Sequence, residues 1–240
     1  MARLVSILIV LASIQAQPAS AQWMIGAYIG WAAPFKTNVR VDSSANATDV
    51  LFDDVRFQTK SFESPLYYGI RAGRTLGTRF GAELEMTHLK VFAEVDTPVM
   101  ASGSIRGTAP NGVITPRSIM DQLNVSHGMN MVLANFVTRF PLGSPAGGGT
   151  QAVLITRFGI GPTVSHTEGN VLGMKAEHYE SGGLAMQGAA GMEFPIWKGV
   201  YLLGEYKYTA SWQHLSVGSA AVEMSPATHH LVSGITYHFP

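Results

Sequence analysis

Beyond residue 21 the chain is a relay of alternating apolar and polar residues, in segments of roughly ten residues or more whose connections are alternately short and long. Period-two alternation places one set of side chains on each face of a strand. Two-faced strands with tight turns on one side and long loops on the other are what a closed transmembrane barrel requires.

Eight segments carry the pattern: 22–33, 65–75, 79–92, 121–140, 151–166, 182–195, 199–212 and 227–239. In the first, Trp23, Ile25, Ala27, Ile29 and Trp31 share a face, with a tryptophan at each end as interfacial girdles place them. In the third, Phe80, Ala82, Leu84 and Met86 oppose Glu83 and Glu85, and the same division recurs around Arg71, Arg157, Glu193, Glu205 and Lys207. Segment 121–140 is apolar on both faces, Met129, Met131 and Leu133 against Val132, Ala134 and Phe136, so its register stays open. The short connections are 76–78, 141–150 and 196–198, and the long ones are 34–64, 93–120, 167–181 and 213–226. The predicted fold is all-β, an eight-stranded antiparallel up-and-down barrel of the outer-membrane type with both termini on the periplasmic side. A soluble barrel would reverse the faces, with apolar residues inside and polar ones outside.

Residues 1–21 read as a signal peptide: a positive start at Arg3, an apolar run from Leu4 to Ile14 too short to span a bilayer, and a small-residue cleavage site at Ala19-Ser20-Ala21. The barrel domain is then 22–240, exported and delivered to the barrel assembly machinery. Composition agrees. Charged residues make up 13% of the chain, against about 25% in ordinary soluble domains. The 16 basic and 16 acidic residues cancel, which disfavours nucleic acid as a partner. Cysteine is absent, which removes disulfides, thiolate metal sites and thiolate nucleophiles.

Eight strands enclose an interior just wide enough for side chains, so an open pore is not expected. Arg71, Arg157, Glu193, Glu205 and Lys207, with Glu83 and Glu85, are expected to close that interior as a salt-bridge network, because buried charges need partners. At the outer rim, His88 and Lys90 next to Glu83 and Glu85, together with His166, are candidates for proton transfer or for ligating a divalent metal. Ser165 and His166 point to opposite faces, which argues against a serine-type hydrolase. His230 and His238 stand eight residues apart, about 27 Å along a strand at roughly 3.4 Å per residue, too far to share a metal. Lys60 and Lys90, among the outer cations, suit contacts with lipid A phosphates.

Two segments, Ser61–Arg71 and Phe80–Ala93, together with weaker matches at 128–140, 191–194 and 204–207, carry a resemblance. Through them the chain resembles small outer-membrane β-barrels, and more narrowly lipid A oxidase-like proteins. That resemblance implies oxygen-dependent oxidation of the proximal glucosamine of lipid A to an aminogluconate, in the outer membrane of a Gram-negative bacterium, with lipopolysaccharide as partner. The residues leave two classes open: such an enzyme, with Glu83, Glu85, His88 and His166 as catalytic candidates, or a non-enzymatic surface barrel serving envelope integrity or adhesion through its long loops.

Overall fold

The computed structural model describes residues 22–110, 112–143 and 151–239; the expected signal peptide lies outside them. The strands are β1 (Trp23–Pro34), β2 (Thr37–Ser43), β3 (Thr48–Val55), β4 (Phe57–Gln58), β5 (Tyr68–Leu76), β6 (Phe80–Ala93), β7 (Val99–Ser104), β8 (Val113–Ile114), β9 (Met120–Pro141), β10 (Val153–Val171), β11 (Met174–Trp197), β12 (Val200–Val217), β13 (Ala220–Met224) and β14 (Ala227–His238). Eight of them form an antiparallel ring in the order β1-β5-β6-β9-β10-β11-β12-β14, which closes through eleven residue pairs from Met24–His238 to Pro34–Thr228. This is the predicted barrel.

The faces follow the alternation. Trp23, Ile25, Ile29 and Trp31 of β1, Ile70 of β5, Leu84 of β6, Phe158 and Ile160 of β10 and Leu231 and Ile235 of β14 point outward and are exposed, an apolar band edged by aromatics. Inward-pointing small residues let bulkier neighbours lie flat across the lumen. A side chain at Gly69 would collide with the ring of Tyr28, whose Cζ sits 2.0 Å from where a β-carbon would stand.

Strand β9 settles the open register. Met129, Met131, Leu133, Asn135, Val137 and Arg139 point inward and Ala134, Phe136 and Phe140 outward. Both its faces are apolar because the lumen changes character along its length. The inner storey is lined by ionisable side chains from β5, β6, β9, β10, β11, β12 and β14. The outer storey is lined by Leu89 and Val91 of β6, Leu123 and Val125 of β9 and Leu215 and Val217 of β12, all buried.

The long connections are built rather than loose. From 35 to 67 and from 94 to 119 the chain adds β2, β3, β4, β7 and β8, so the sheet runs on through β12-β13-β2-β3-β7 beyond the ring. Val39, Val41, Val50, Phe52 and Val222 of this extension fill the outer storey. Ion pairs Arg40–Asp49 and Arg117–Asp96 fasten its surface, and the Arg117 guanidinium holds the Asp96 carboxyl below the usual carboxylate range.

Two expected loops are hairpins instead. The stretch 167–181 continues β10 and β11 through the two-residue turn Leu172–Gly173, whose φ values of 54° and 82° suit the twist of the flanking strands. The stretch 213–226 extends β12 and folds back as β13. Alternation persisted through both, but without an Asn-Gly or Asp-Gly pair to mark the turn.

Because the outer storey has a core of its own, Phe52→Ala should destabilise it by about 3–5 kcal/mol. Proteolysis should then nick 34–64 and 93–120 faster, while the barrel keeps its heat-modifiable migration on gels; unchanged cleavage would show that Phe52 does not hold the extension.

Candidate functional site

The lumen of the inner storey holds a buried ion network in two clusters. Glu85 of β6 is the centre of the first: it accepts from Lys207 Nζ at 2.5 Å, Arg71 Nη2 at 3.0 Å, Asn135 Nδ2 at 2.7 Å, Gln187 Nε2 at 2.6 Å and Tyr28 Oη at 2.5 Å. Lys207 also reaches Tyr28 Oη at 2.8 Å and Thr87 Oγ1 at 3.1 Å. Arg157 clamps Glu83 through Nε at 2.7 Å and Nη2 at 3.2 Å and also pairs with Glu205, which Arg71 shares. In the second cluster, at the end of the barrel where the chain termini lie, Glu193 accepts from Arg139 at 2.9 Å and from His238 at 3.1 Å. Arg71, Arg139, Arg157 and Lys207 thus face Glu83, Glu85, Glu193 and Glu205, and all are buried. Four cations balance four carboxylates, which is the condition for burying them at all.

A second constellation lies on the other side of the wall. On the outward face, one residue beyond the apolar band on each strand, stand Tyr68 (β5), His88 (β6), His127 and Asn130 (β9), His166 (β10) and Tyr179 (β11). Beneath them on the same faces are Ile70, Met86, Val132 and Val164, with Ser181 and then Leu184 below Tyr179, and beyond them Lys90, Glu168 and Glu177. The rings form a run: Tyr68 stacks on His88 with centroids 5.1 Å apart, His88 Nδ1 meets Asn130 Oδ1 at 2.9 Å, His127 meets His166 edge-on at 4.6 Å, and His166 meets Tyr179 at 4.5 Å. A bulge in β9 makes the run possible. Gly128 has φ +104° and its backbone lies so close under His88 that a β-carbon there would sit 2.3 Å from the imidazole. His88 and His166 are 5% and 8% exposed, and His88 Nε2 and His166 Nδ1 are buried with no partner among the described residues. Beyond the strip, hydrogen bonds from Ser126 and Gln122 hold the Glu168 carboxyl below its ordinary range.

The sequence candidates therefore divide by parity. Glu83 and Glu85 are inside, neutralised by Arg157, Arg71 and Lys207; His88 and His166 are outside, His88 against Tyr68 and Asn130 and His166 against His127 and Tyr179. The structure does not bring the two carboxylates to the two imidazoles. Arg71, Arg157, Glu193, Glu205 and Lys207 all sit in the network. Lys90 is buried and donates to the Glu63 carbonyl at 2.8 Å, and Lys60 pairs with the Glu63 carboxylate at 3.2 Å and lies over the Phe92 ring, so both lysines gather beside the strip. Arg139 and His127 were missed because both belong to the strand whose register the sequence left open. Among the described residues no three His, Asp or Glu side chains converge as a metal-binding set.

No family model matches the chain, and no curated protein matches it. Among solved structures it is similar to Neisserial surface protein A, at 11% identity over 92% of this chain and 99% of that one with a TM-score of 0.45. It is also similar to the outer membrane protein OprG from Pseudomonas aeruginosa, at 11% identity, 94% and 99% coverage and a TM-score of 0.48. The outer membrane protease OmpT from Escherichia coli matches at 8% identity, 91% and 97% coverage and a TM-score of 0.45. Likenesses at this level carry no information about activity.

The network makes a direct prediction. Arg157→Met leaves Glu83 and Glu205 short of a buried partner and should lower unfolding free energy by roughly 3–5 kcal/mol, read as a fall in the temperature at which the heat-modifiable band is lost. A variant as stable as wild type would show that water, not the network, solvates the lumen.

Proposed function

We propose that the chain resides in the outer membrane of a Gram-negative bacterium as a non-conducting barrel and acts on the lipid around it, holding lipid A headgroups laterally against the strip from Tyr68 to Tyr179. The strip carries this reading. It lies where the apolar band ends, which is the level of headgroups, and beside Tyr68, His127 and Tyr179 it sets two imidazoles whose unpartnered nitrogens are buried, where interfacial girdles ordinarily use tryptophan and tyrosine alone. Imidazole suits both phosphate contact and proton transfer near neutral pH.

The finer form of the reading is an oxidase-type enzyme, supported by the resemblance of Ser61–Arg71 and Phe80–Ala93, segments that supply Tyr68 and His88. In that form the free C1 hemiacetal of the proximal glucosamine gives two electrons and two protons to dioxygen, which leaves as hydrogen peroxide, and water opens the lactone to the aminogluconate, a net gain of one oxygen; His88 and His166 hold or move protons at the sugar, and Lys60 and Lys90 face lipid A phosphate away from C1. A divalent metal does not fit the donor set, since three ligands do not converge and His88 Nδ1 is already engaged by Asn130; no step is assigned to one. A second reading, a surface barrel without catalysis, is favoured by a different observation: the outer storey is a rigid sheet with its own apolar core, a platform suited to envelope or adhesive contacts.

Mass spectrometry of lipid A separates them. Cells carrying the chain should yield a species heavier by one oxygen atom. His88→Ala and His166→Ala should cut its formation about 100-fold or more, the usual cost of losing a general acid–base group, with the heat-modifiable band intact. Identical spectra with and without the chain in aerated culture would overturn the enzyme and leave the surface barrel.

A further inference from the structure

The barrel wall is not laddered to its outer edge. Strand β11 pairs with β12 from Gly183–Gln213 inward to Trp197–Val200. Among the described residues its outer part, Met174–Ser181, pairs only with β10, and the outer end of β12, His214–Val217, pairs only with β13. A seam runs between these two edges. One side chain replaces the missing ladder: the Glu180 carboxylate accepts the Ser216 N–H at 3.1 Å on each oxygen and the Thr167 hydroxyl at 2.5 Å, with His178 Nε2 at 3.6 Å. Both ends are pinned, the inner by the Gly183–Gln213 pair and the outer by Met174, whose sulfur accepts the Ser219 hydroxyl at 3.3 Å.

Behind the latch the wall is polar and uncharged. Ser165 and Thr163 donate to Gln213 Oε1 at 2.9 and 3.2 Å, all three residues are at least nine-tenths buried, and the Gln213 amide nitrogen is buried with no partner among the described residues. On the outside the seam opens beside Tyr179 and Trp212, exposed aromatics at the boundary of the apolar band.

We infer that this seam is a lateral entrance for the uncharged sugar ring of an outer-leaflet glycolipid, latched by Glu180. Hydroxyls, an amide with a free donor and a carboxylate acceptor match a ring of sugar hydroxyls. A phosphate would meet the Glu180 carboxylate and, among the described residues, no lysine or arginine in the lining. That the sugar comes from a lipid rests on the reading that this barrel acts on its surrounding lipid; the latch itself does not.

A chain without cysteine accepts single reporters. Ser165→Cys stands behind the latch, Thr163→Cys is a second reporter there should the first fail to fold, and Ser211→Cys is a buried control deeper in β12. Each is labelled with a water-soluble maleimide in the refolded full-length barrel. Glu180→Ala should raise labelling of the latch cysteine about tenfold or more, as loss of hydrogen bonds to a charged acceptor allows, without changing Ser211→Cys. Reconstitution into phosphatidylcholine vesicles containing lipid A should slow it again, and vesicles containing phosphatidylglycerol instead should not. No rise, an equal rise at the control, or no protection by lipid A overturns the assignment. Because the readout is accessibility, an unmodified lipid A mass spectrum leaves it standing.

Discussion

Within hydrocarbon a strand edge has no water to satisfy its N–H and C=O groups, each costing several kcal/mol if left unpaired. Pairing of the first ring strand with the last, Met24–His238 through Pro34–Thr228, removes both edges at once, and the remaining architecture follows from it. Closure at eight strands fixes a lumen of side-chain width. Ionisable residues that alternation turns inward then have no bulk water, and they persist only by neutralising one another. The dense coordination of Glu85 is the result: two cations, two amides and a phenol converge on one carboxylate.

The same strands obey the opposite rule farther out. In β12 the inward series runs Glu205, Lys207, Thr209, Ser211, Gln213 and then Leu215 and Val217, passing from the pattern of a membrane barrel to that of a soluble one. Past the apolar band, water can satisfy exposed backbone, so the ring is free to unzip between β11 and β12 and to recruit β13, β2, β3 and β7 instead. The seam lies in the part of the wall where an unpaired edge is tolerable. The apolar outer storey seals the lumen a second time, above the ion network.

Much of this was legible in the chain. Parity alone placed the outward stripe of β1, the inward charges of β5, β6 and β12, and the even strand count. It also separates Glu85 from His88, since residues three apart on a strand face opposite ways. What parity could not deliver was β9, because Met129–Leu133 and Val132–Phe136 sit where the lumen changes from charged to apolar and both faces read the same. Arg139 and His127 were lost with that register. The hairpins at 172–173 and 218–219 were hidden because their turns lack the usual dipeptides, and the β9 bulge that brings Gly128 under His88 leaves no mark in the alternation.

The wall also divides what each residue is able to do. A carboxylate at 83 or 85 cannot reach a lipid headgroup across the laddered sheet, so away from the β11–β12 seam chemistry on surrounding lipid is confined to the outward set, and charge balance in the lumen to the inward set. Tyr68, His88, His166 and Tyr179 owe little of their placement to the ion network: their partners are one another, Asn130 and the bulged backbone of β9. A small barrel thereby keeps a rigid, neutral interior while its outer surface changes chemistry, one outward residue at a time, without disturbing the interactions that hold it closed.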